Sequence, residues 1–561
     1  MGAAACSARA EVEVAPKNHG PKKTDRICIV GAGPAGIHMA SLLMRNGFRK
    51  VTLLEKSDRH GGKSYTITDN NGVPHELGTC YLYPHYKEVR ALLAEYELED
   101  QEVEINRRRR PGLFREARAY AGAKEKPGSL NQWIFNESET KSIPSAVLKD
   151  LTPEILHSTS LYAKSRKYIK LHQRILGDYK YSLPGKPANM KEINMTFNDF
   201  LEKNKLEELV PFFTYTHSAL GYGLIDEVPA LYGLWWNTPE LIDSFFDLRK
   251  RKNSLSMMRD GFSLLWDTIV EKHDMDIIYN CDIKKITRNE KGVVVTTNVL
   301  EEPTQADYER GSPRDDDDEE SESIPGLRRV QTMTFDFLIV AAPADAVMKC
   351  MDSTDKEKEI FSSLRYYTLS TTLYESRLRE KELPVKFYPK RISQPYVSHM
   401  VRNSTRALNS WRPSQKKDRK VAYQFTNYHS HGMMEDKLRL TLIEDLRNWQ
   451  ENDIRVGSAA PERRRTCIQY CSLFLVLMIS FTYVIYLSQV FKMMNWQYFP
   501  HFPQEAINKG YPWEIRKMQG ENRTWYIGSS VCFESLHDCV RHNLDLMKYK
   551  HAMAHDDFSL F

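Results

Sequence analysis

The run from Arg26 to Lys63, RICIVGAGPAGIHMASLLMRNGFRKVTLLEKSDRHGGK, constrains this chain more than any other stretch. Ile27 to Val30 is an unbroken apolar run, the pattern of a parallel strand covered on both faces. Gly31, Gly33 and Gly36 then form G-x-G-x-x-G. Pro34 and Ala35 open a helical pattern that continues through Met39, Leu42 and Leu43. Asn46-Gly47 is a natural left-handed helix end. A second strand, Val51 to Leu54, finishes on Glu55, about 20 residues past the glycines, as a dinucleotide fingerprint requires. The three glycines serve different ends. Gly31 makes the tight turn, Gly33 admits a pyrophosphate against the backbone, and Gly36 lets helix and strand pack closely. The helix N-terminus faces the phosphates, and Glu55 can accept the ribose hydroxyls.

The next residues narrow the choice of dinucleotide. Glu55-Lys56-Ser-Asp-Arg59-His-Gly61-Gly62-Lys63 resembles the E-x-x-x-R-x-G-G-R run of FAD enzymes in the amine oxidase superfamily. The resemblance implies FAD as cofactor. Gly61 and Gly62 would fold the loop over the pyrophosphate, Arg59 and Lys63 would neutralise it, and Lys56 lies in the same loop. Lys63 stands where that family usually has arginine, which keeps the charge but loses the bidentate fork. Pro74-His-Glu-Leu-Gly78-Thr79 resembles the family segment that passes close to the isoalloxazine ring, and a plain β-turn remains the alternative. Further segments resemble the family at Arg259 to Trp266, at Ile283, whose backbone would meet the adenine, and at Phe335 to Pro343. The last is Thr524 to His537, where Gly528, Ser529 and Phe533 would approach the cofactor from a strand and the start of a helix. Ser529 replaces the acidic residue usual there.

The implied fold class is α/β. A Rossmann-type FAD-binding domain is assembled from discontinuous segments, residues 24–100, 255–345 and 495–550. An inserted α+β substrate domain takes a helical part, 101–254, and a sheet part, 346–456. The aromatic-rich run Phe212, Phe213, Tyr215, Tyr222, Tyr232, Trp235 and Trp236 reads individually as core and collectively as the wall of an apolar pocket. A second strand-preceded G-x-G-x-x-G is absent, so no nicotinamide site is evident. The expected activity is removal of hydride from a small apolar substrate, an amine or an acyl chain, to flavin N5. An alternative resembles the polyenoic fatty-acid isomerases of the same superfamily, in which the hydride returns at another carbon. A flavin-binding protein without turnover is a third reading. No recognisable triad singles out a catalytic residue.

Composition removes several other classes. The net charge of +5 over 561 residues is small, and no helix-turn-helix, zinc-finger or RNA-recognition pattern occurs, so nucleic acid is not an expected partner. Nine cysteines without C-x-x-C or zinc spacing read as thiols of a reducing compartment. Residues 311–325 carry an acidic run that lacks EF-hand spacing and reads as a disordered insertion; no metal site is expected. Residues 1–23 read as a disordered leader with no secretory signal. Its start, Met1-Gly2-Ala-Ala-Ala-Cys6-Ser7, approximates an acylation pattern that departs at its final position. Thr466 to Phe491 is free of charge for 26 residues, the length of a membrane helix. A simple span there would separate Gly528 from Gly31, which must meet one cofactor. Residues 457–494 are therefore expected to be a hydrophobic insertion, with an in-plane membrane helix or a core helix as the alternatives. The expected location is the cytoplasm or the cytoplasmic face of a membrane.

Overall fold

The computed structural model describes residues 20–68, 74–104, 132–134, 159–177, 182–246, 256–301, 327–376, 385–388, 398–403, 422–430 and 490–550. The acylation-like start, the acidic run 311–325 and residues 466–489 lie outside the described residues.

The chain opens with β1 (Ile27–Val30), α1 (Pro34–Arg45) and β2 (Val51–Leu54). All four residues of β1 are buried, as their uninterrupted apolar sequence requires. Pro34 occupies the first turn of α1, where a missing N–H is harmless. At the other end, Asn46 donates from its backbone and side chain to the Leu42 carbonyl, and Gly47 takes φ +88°. A short antiparallel pair follows, β3 (Thr66–Thr68) with β4 (Pro74–Glu76), and then α2 (Lys87–Glu95). Strands β5 (Glu102–Glu104) and β6 (Gln132–Ile134) lead into a helical region containing α3 (Thr159–Leu176), α4 (Phe197–Lys203) and α5 (Ala230–Trp236). Thr196 caps α4 by accepting the Asp199 N–H at 3.1 Å. Next come β7 (Ser256–Met258), α6 (Phe262–His273), β8 (Asp276–Ile278) and the meander β9 (Cys281–Asn289), β10 (Gly292–Glu301), β11 (Leu327–Phe335). After β12 (Phe337–Val340) and α7 (Asp355–Ser362) the chain builds β13 (Arg365–Ser376), β14 (Val385–Tyr388), β15 (Ser398–Asn403), β16 (Ala422–Ser430) and β17 (Val490–His501). It finishes with β18 (Thr524–Tyr526) and α8 (Leu536–Lys550).

Two sheets carry the architecture. The first is five-stranded and wholly parallel in the order β18-β12-β1-β2-β8. The chain leaves β1 towards β2 on one side and later returns as β12 on the other, so the ends of β1 and β12 form a topological switch point. The second sheet has six strands in the order β17-β13-β16-β15-β14-β6, antiparallel except for β14 against β6. This is an α/β cofactor-type domain drawn from separated segments, with a mixed helix-and-sheet second region inserted into it.

One expected boundary shifts. Val490 pairs with Tyr374 and Met494 with Thr371, so residues 490–494 are rungs of β17 and belong to the six-stranded sheet. Residues 495–501 likewise continue the six-stranded sheet, and the return to the parallel sheet comes only at Thr524. Val490 and Phe491, the end of the apolar run, are strand. Among the described residues no helix is long and apolar enough to cross a membrane.

Candidate functional site

A cavity of about 630 Å³ opens at the switch point, and its lining includes Glu55, Cys281 and Ile283 together with Trp496, Gln497 and Tyr498. Gly31, Gly33, Pro34, Ala35, Gly62 and Gly528 also line it, contributed by three distant parts of the chain. The volume is that of a small-molecule or cofactor pocket.

The glycines make this approach possible in different ways. Gly31 has φ +102°, a conformation that side chains resist, and donates its N–H to the Leu54 carbonyl at 2.8 Å. A Cβ on Gly36 would collide with the Gly31 carbonyl oxygen, so this glycine serves the packing of α1 on its own turn and does not line the cavity. Gly33 is the opposite case. A Cβ there would meet only the Gly62 Cα at 3.8 Å, so the space in front of Gly33 belongs to the cavity.

Glu55 ends β2 at the cavity edge and accepts hydrogen bonds from the Ala32 N–H (2.8 Å), the Ser57 N–H (2.9 Å) and the Ser57 hydroxyl (2.7 Å). These bonds fix the carboxylate and leave it acceptor capacity towards the cavity. Lys56 lines the same end. The loop that follows is held down by the Gly61 N–H on the Ala32 carbonyl at 2.8 Å. It is also pinned by His60, whose ring nitrogens meet the Tyr279 hydroxyl at 2.7 Å and Asp267 at 2.8 Å.

Several expected contacts are placed elsewhere. Arg59 does not line the cavity: its guanidinium donates to the carbonyls of His60 and Gly62 and stands 3.8 Å from the Tyr65 ring centre, so it clamps its own loop. Gly61 likewise faces the loop interior, where a Cβ would press on the Ser64 carbonyl at 2.9 Å. Lys63 lines the cavity, but its ammonium is bound to Glu534 at 2.7 Å. Phe533 is fully buried behind the wall, stacked on Trp236 at 5.3 Å and edge-on to Tyr222 at 4.8 Å. Gly78, Thr79, Ile283, Gly528 and Ser529 all line the cavity.

The aromatic run is mostly core. Phe212, Phe213, Tyr232, Trp235 and Trp236 are buried outside the cavity, and only Tyr222 reaches it; the Tyr215 side chain lies outside the described residues. The aromatic half of the wall instead comes from Tyr81, Tyr83, Tyr86, Trp496 and Tyr498, joined by Leu220, Leu369 and Leu536. Sequence reasoning missed these, although the density of tyrosines directly after Gly78 was a usable signal. Glu534, Ser535 and Cys539 were missed as well. Among the described residues the charged side chains on the wall are Glu55, Lys56, Lys63, Asp282 and Glu534; of these Lys63 and Glu534 neutralise each other, beside the Tyr498 ring. Among the described residues no group of histidine, cysteine and carboxylate side chains could hold a metal ion.

The donor set fits FAD. Glycines open one stretch of backbone to a bulky anion, a fixed carboxylate waits a strand-end away, and the cavity continues from them into an aromatic chamber. Comparison with known proteins agrees. The family model for flavin containing amine oxidoreductases matches residues 34–369. The polyenoic fatty acid isomerase of Ptilota filicina is 28% identical over 224 residues, 39% of this chain and 42% of that protein. The chain thus matches less than half of that relative's length. Amine oxidase [flavin-containing] A of Sus scrofa is 32% identical over 80 residues, 14% of this chain and 15% of the other. Among solved structures, the fatty acid isomerase of P. acnes that produces CLA superposes with a TM-score of 0.59 at 18% identity. The match covers 95% of this chain and all of the other. Putrescine oxidase bound to putrescine gives 0.55 at 14% identity, covering 95% and 99%. At such identities the superpositions speak for the fold alone.

Proposed function

This chain belongs to the flavin containing amine oxidoreductase family, with FAD as its cofactor, and we propose that its substrate is an unsaturated acyl chain whose double bond it relocates. FAD, when bound, supplies a site that accepts a hydride and can return it. The cofactor residues in this reading are Gly31, Gly33, Gly62 and Gly528 along the pyrophosphate, Glu55 at the ribose, and Ile283 at the adenine. Gly78, Thr79 and Ser529 lie towards the ring.

The protein's part is to bind, orient and dry the substrate. Tyr83, Tyr86, Tyr222 and Tyr498 with Leu220, Leu369, Trp496 and Leu536 offer a long apolar wall beside the cofactor stretch. Exclusion of water from such a wall protects a carbon centre that has given up hydride. The observation that carries the reading is the pairing of Lys63 with Glu534 at 2.7 Å. It compensates the carboxylate beside the Tyr498 ring, which suits a neutral chain better than a protonated amine there. The names of the Ptilota filicina and P. acnes relatives support the same direction.

Oxidation of a hydrophobic amine is the second reading, supported by the family as a whole. Mixing the protein with a polyunsaturated free fatty acid under anaerobic conditions separates the two. The expected result is a conjugated product with the flavin left oxidised and no acceptor consumed. Lasting bleaching by a hydrophobic amine, with no change in the fatty acid, overturns the acyl-chain reading.

A further inference from the structure

One backbone conformation in the substrate-side sheet is out of keeping with its residue. Phe499, within β17, has φ +50°, in the left-handed region that bulky side chains avoid. The pairing of β13 with β17 explains where it sits. Tyr367 faces Tyr498 and Arg365 faces His501, so two steps of β13 span three of β17, and the extra residue makes a bulge. Such strain persists where the surroundings over-determine it, and it gathers at functional sites.

Two things hold the bulge. The Phe499 ring is fully buried between Tyr222, Tyr232 and Phe533, at 5.7, 5.4 and 5.4 Å. Its N–H donates to Glu534 Oε2 at 3.1 Å. That same oxygen accepts the Lys63 ammonium at 2.7 Å, and the Lys63 nitrogen lies 5.3 Å from the Tyr498 ring centre. One carboxylate oxygen therefore ties the loop after Gly62 and the turn after Gly528 to a bulge in the strand that carries Trp496, Gln497 and Tyr498. Tyr498 in turn is stacked on Tyr222, with centroids 5.9 Å apart and ring planes 10° from parallel, and both residues line the cavity.

We propose that Glu534 is a positioning residue. Steadied by Lys63, it fixes the left-handed bulge at Phe499 and so sets the Tyr498–Tyr222 face that receives the substrate. The inference rests on the cavity's being a flavin and substrate site. It differs from the role that resemblance assigns to Lys63, which is to neutralise the pyrophosphate. The consequence is a linkage: order in the cofactor loop and shape of the substrate face depend on one group, so each ligand favours the binding of the other.

Two variants separate the carboxylate's charge from its hydrogen-bond acceptor. Glu534→Gln keeps an acceptor for the Phe499 N–H and loses the ion pair. The exchange Lys63→Glu with Glu534→Lys keeps opposite charges but puts a donor-only group against that N–H. Near-ultraviolet circular dichroism of the purified full chain reads the packing of the tyrosines without needing a substrate. The visible flavin signal reports the cofactor separately. The expected result is a near-wild-type aromatic spectrum for the Gln variant and a reduced one for the exchange, both with flavin bound. The exchange should also bind linoleic acid about tenfold more weakly, the size of one charge-assisted hydrogen bond lost. Identical aromatic spectra and fatty-acid affinities in the two variants would overturn the proposal. So would loss of flavin in both with the aromatic spectrum unchanged, which would make Lys63 and Glu534 cofactor ligands only. If the exchange does not accumulate as folded protein, Glu534→Met supplies the same comparison. A wild type without flavin would instead refute the reading of the site, while the aromatic spectra of the variants would still decide the role of Glu534.

Discussion

Replacing Arg288 by methionine should be among the most damaging single changes outside the cavity. Arg288 lies on β9 with its side chain only 2% exposed. Its guanidinium makes two parallel bonds of 2.8 Å to Glu357 and one of 2.9 Å to Asp352, and it also donates to the Thr524 hydroxyl at 3.0 Å. Glu357 is equally buried and takes a further bond from the Tyr526 hydroxyl. Thr524 and Tyr526 belong to β18, which delivers Gly528 to the cavity, so this cluster fastens the last cofactor segment to the sheet. Methionine would leave the Glu357 carboxylate buried without its cation, a loss of about 3–5 kcal/mol. That is a large share of the roughly 5–15 kcal/mol by which folded domains are stable. The pH dependence follows from the sign of the shift. In the wild type burial pushes the Glu357 carboxyl up, but the bonds from Arg288 and Tyr526 outweigh it and hold it below the usual value. Its contribution is thus present above about pH 4.5 and is lost as pH falls through the lowered value. In the variant burial goes unopposed by the guanidinium and the carboxyl shifts upward. The deficit should then be greatest at pH 8 and shrink towards pH 5, as Glu357 takes up a proton. Denaturant unfolding of the full chain at the two pH values measures this. A deficit below about 1 kcal/mol, or one independent of pH, would refute the reasoning. Arg288→Met with Glu357→Leu should recover part of the loss, because no charge then remains buried.

Acid stability offers a second check. Burial pulls His38, His85 and His217 down to about 3, and His542 to about 4, so all are neutral when folded and take up protons on unfolding below about pH 6.5. Asp538 and Asp545, pushed up by burial to about 7 and about 6, act in the opposite sense, and the histidines outnumber them. Stability should therefore fall as pH drops from 6.5 to 4.5; a flat or rising profile in a denaturant titration would contradict this. Deletion of residues 457–494 should cost soluble flavin-bound protein, because it removes the β17 rungs from Val490 to Met494. Deletion of residues 457–489 spares those rungs, and equal yields from the two would argue against the boundary.

The legible parts of this fold are those with local causes. The turn from Gly31 to Gly36 needs glycine for reasons visible within six residues, and the apolar run of β1 announces a strand buried on both faces. What the sequence hides is pairing over distance. Nothing local to Lys63 announces that Glu534, 471 residues away, holds its ammonium. Nor does the sequence around Arg59 announce that its loop folds back and offers carbonyls to it. Phe533 is near Gly528 in sequence, yet its ring turns into the core, where Trp236 and Tyr222 await it. The start of β17 is masked by the apolar run before it, since a buried strand and the end of a hydrophobic segment read alike.

Flavin content tests the central claim most directly, measured on wild type, Gly33→Val and Gly36→Val in parallel. Gly33 has ordinary extended geometry (φ −79°), and the space beside it is cavity, so valine there should fold and exclude only the cofactor. Valine at Gly36 meets the Gly31 carbonyl oxygen and should damage the fold itself. The account predicts yellow wild type that releases about one FAD per chain on denaturation, as a single fingerprint implies. It predicts Gly33→Val colourless with wild-type far-ultraviolet circular dichroism, and Gly36→Val poorly folded. A colourless wild type that FAD cannot reconstitute, or a Gly33→Val protein that retains its flavin, would contradict it.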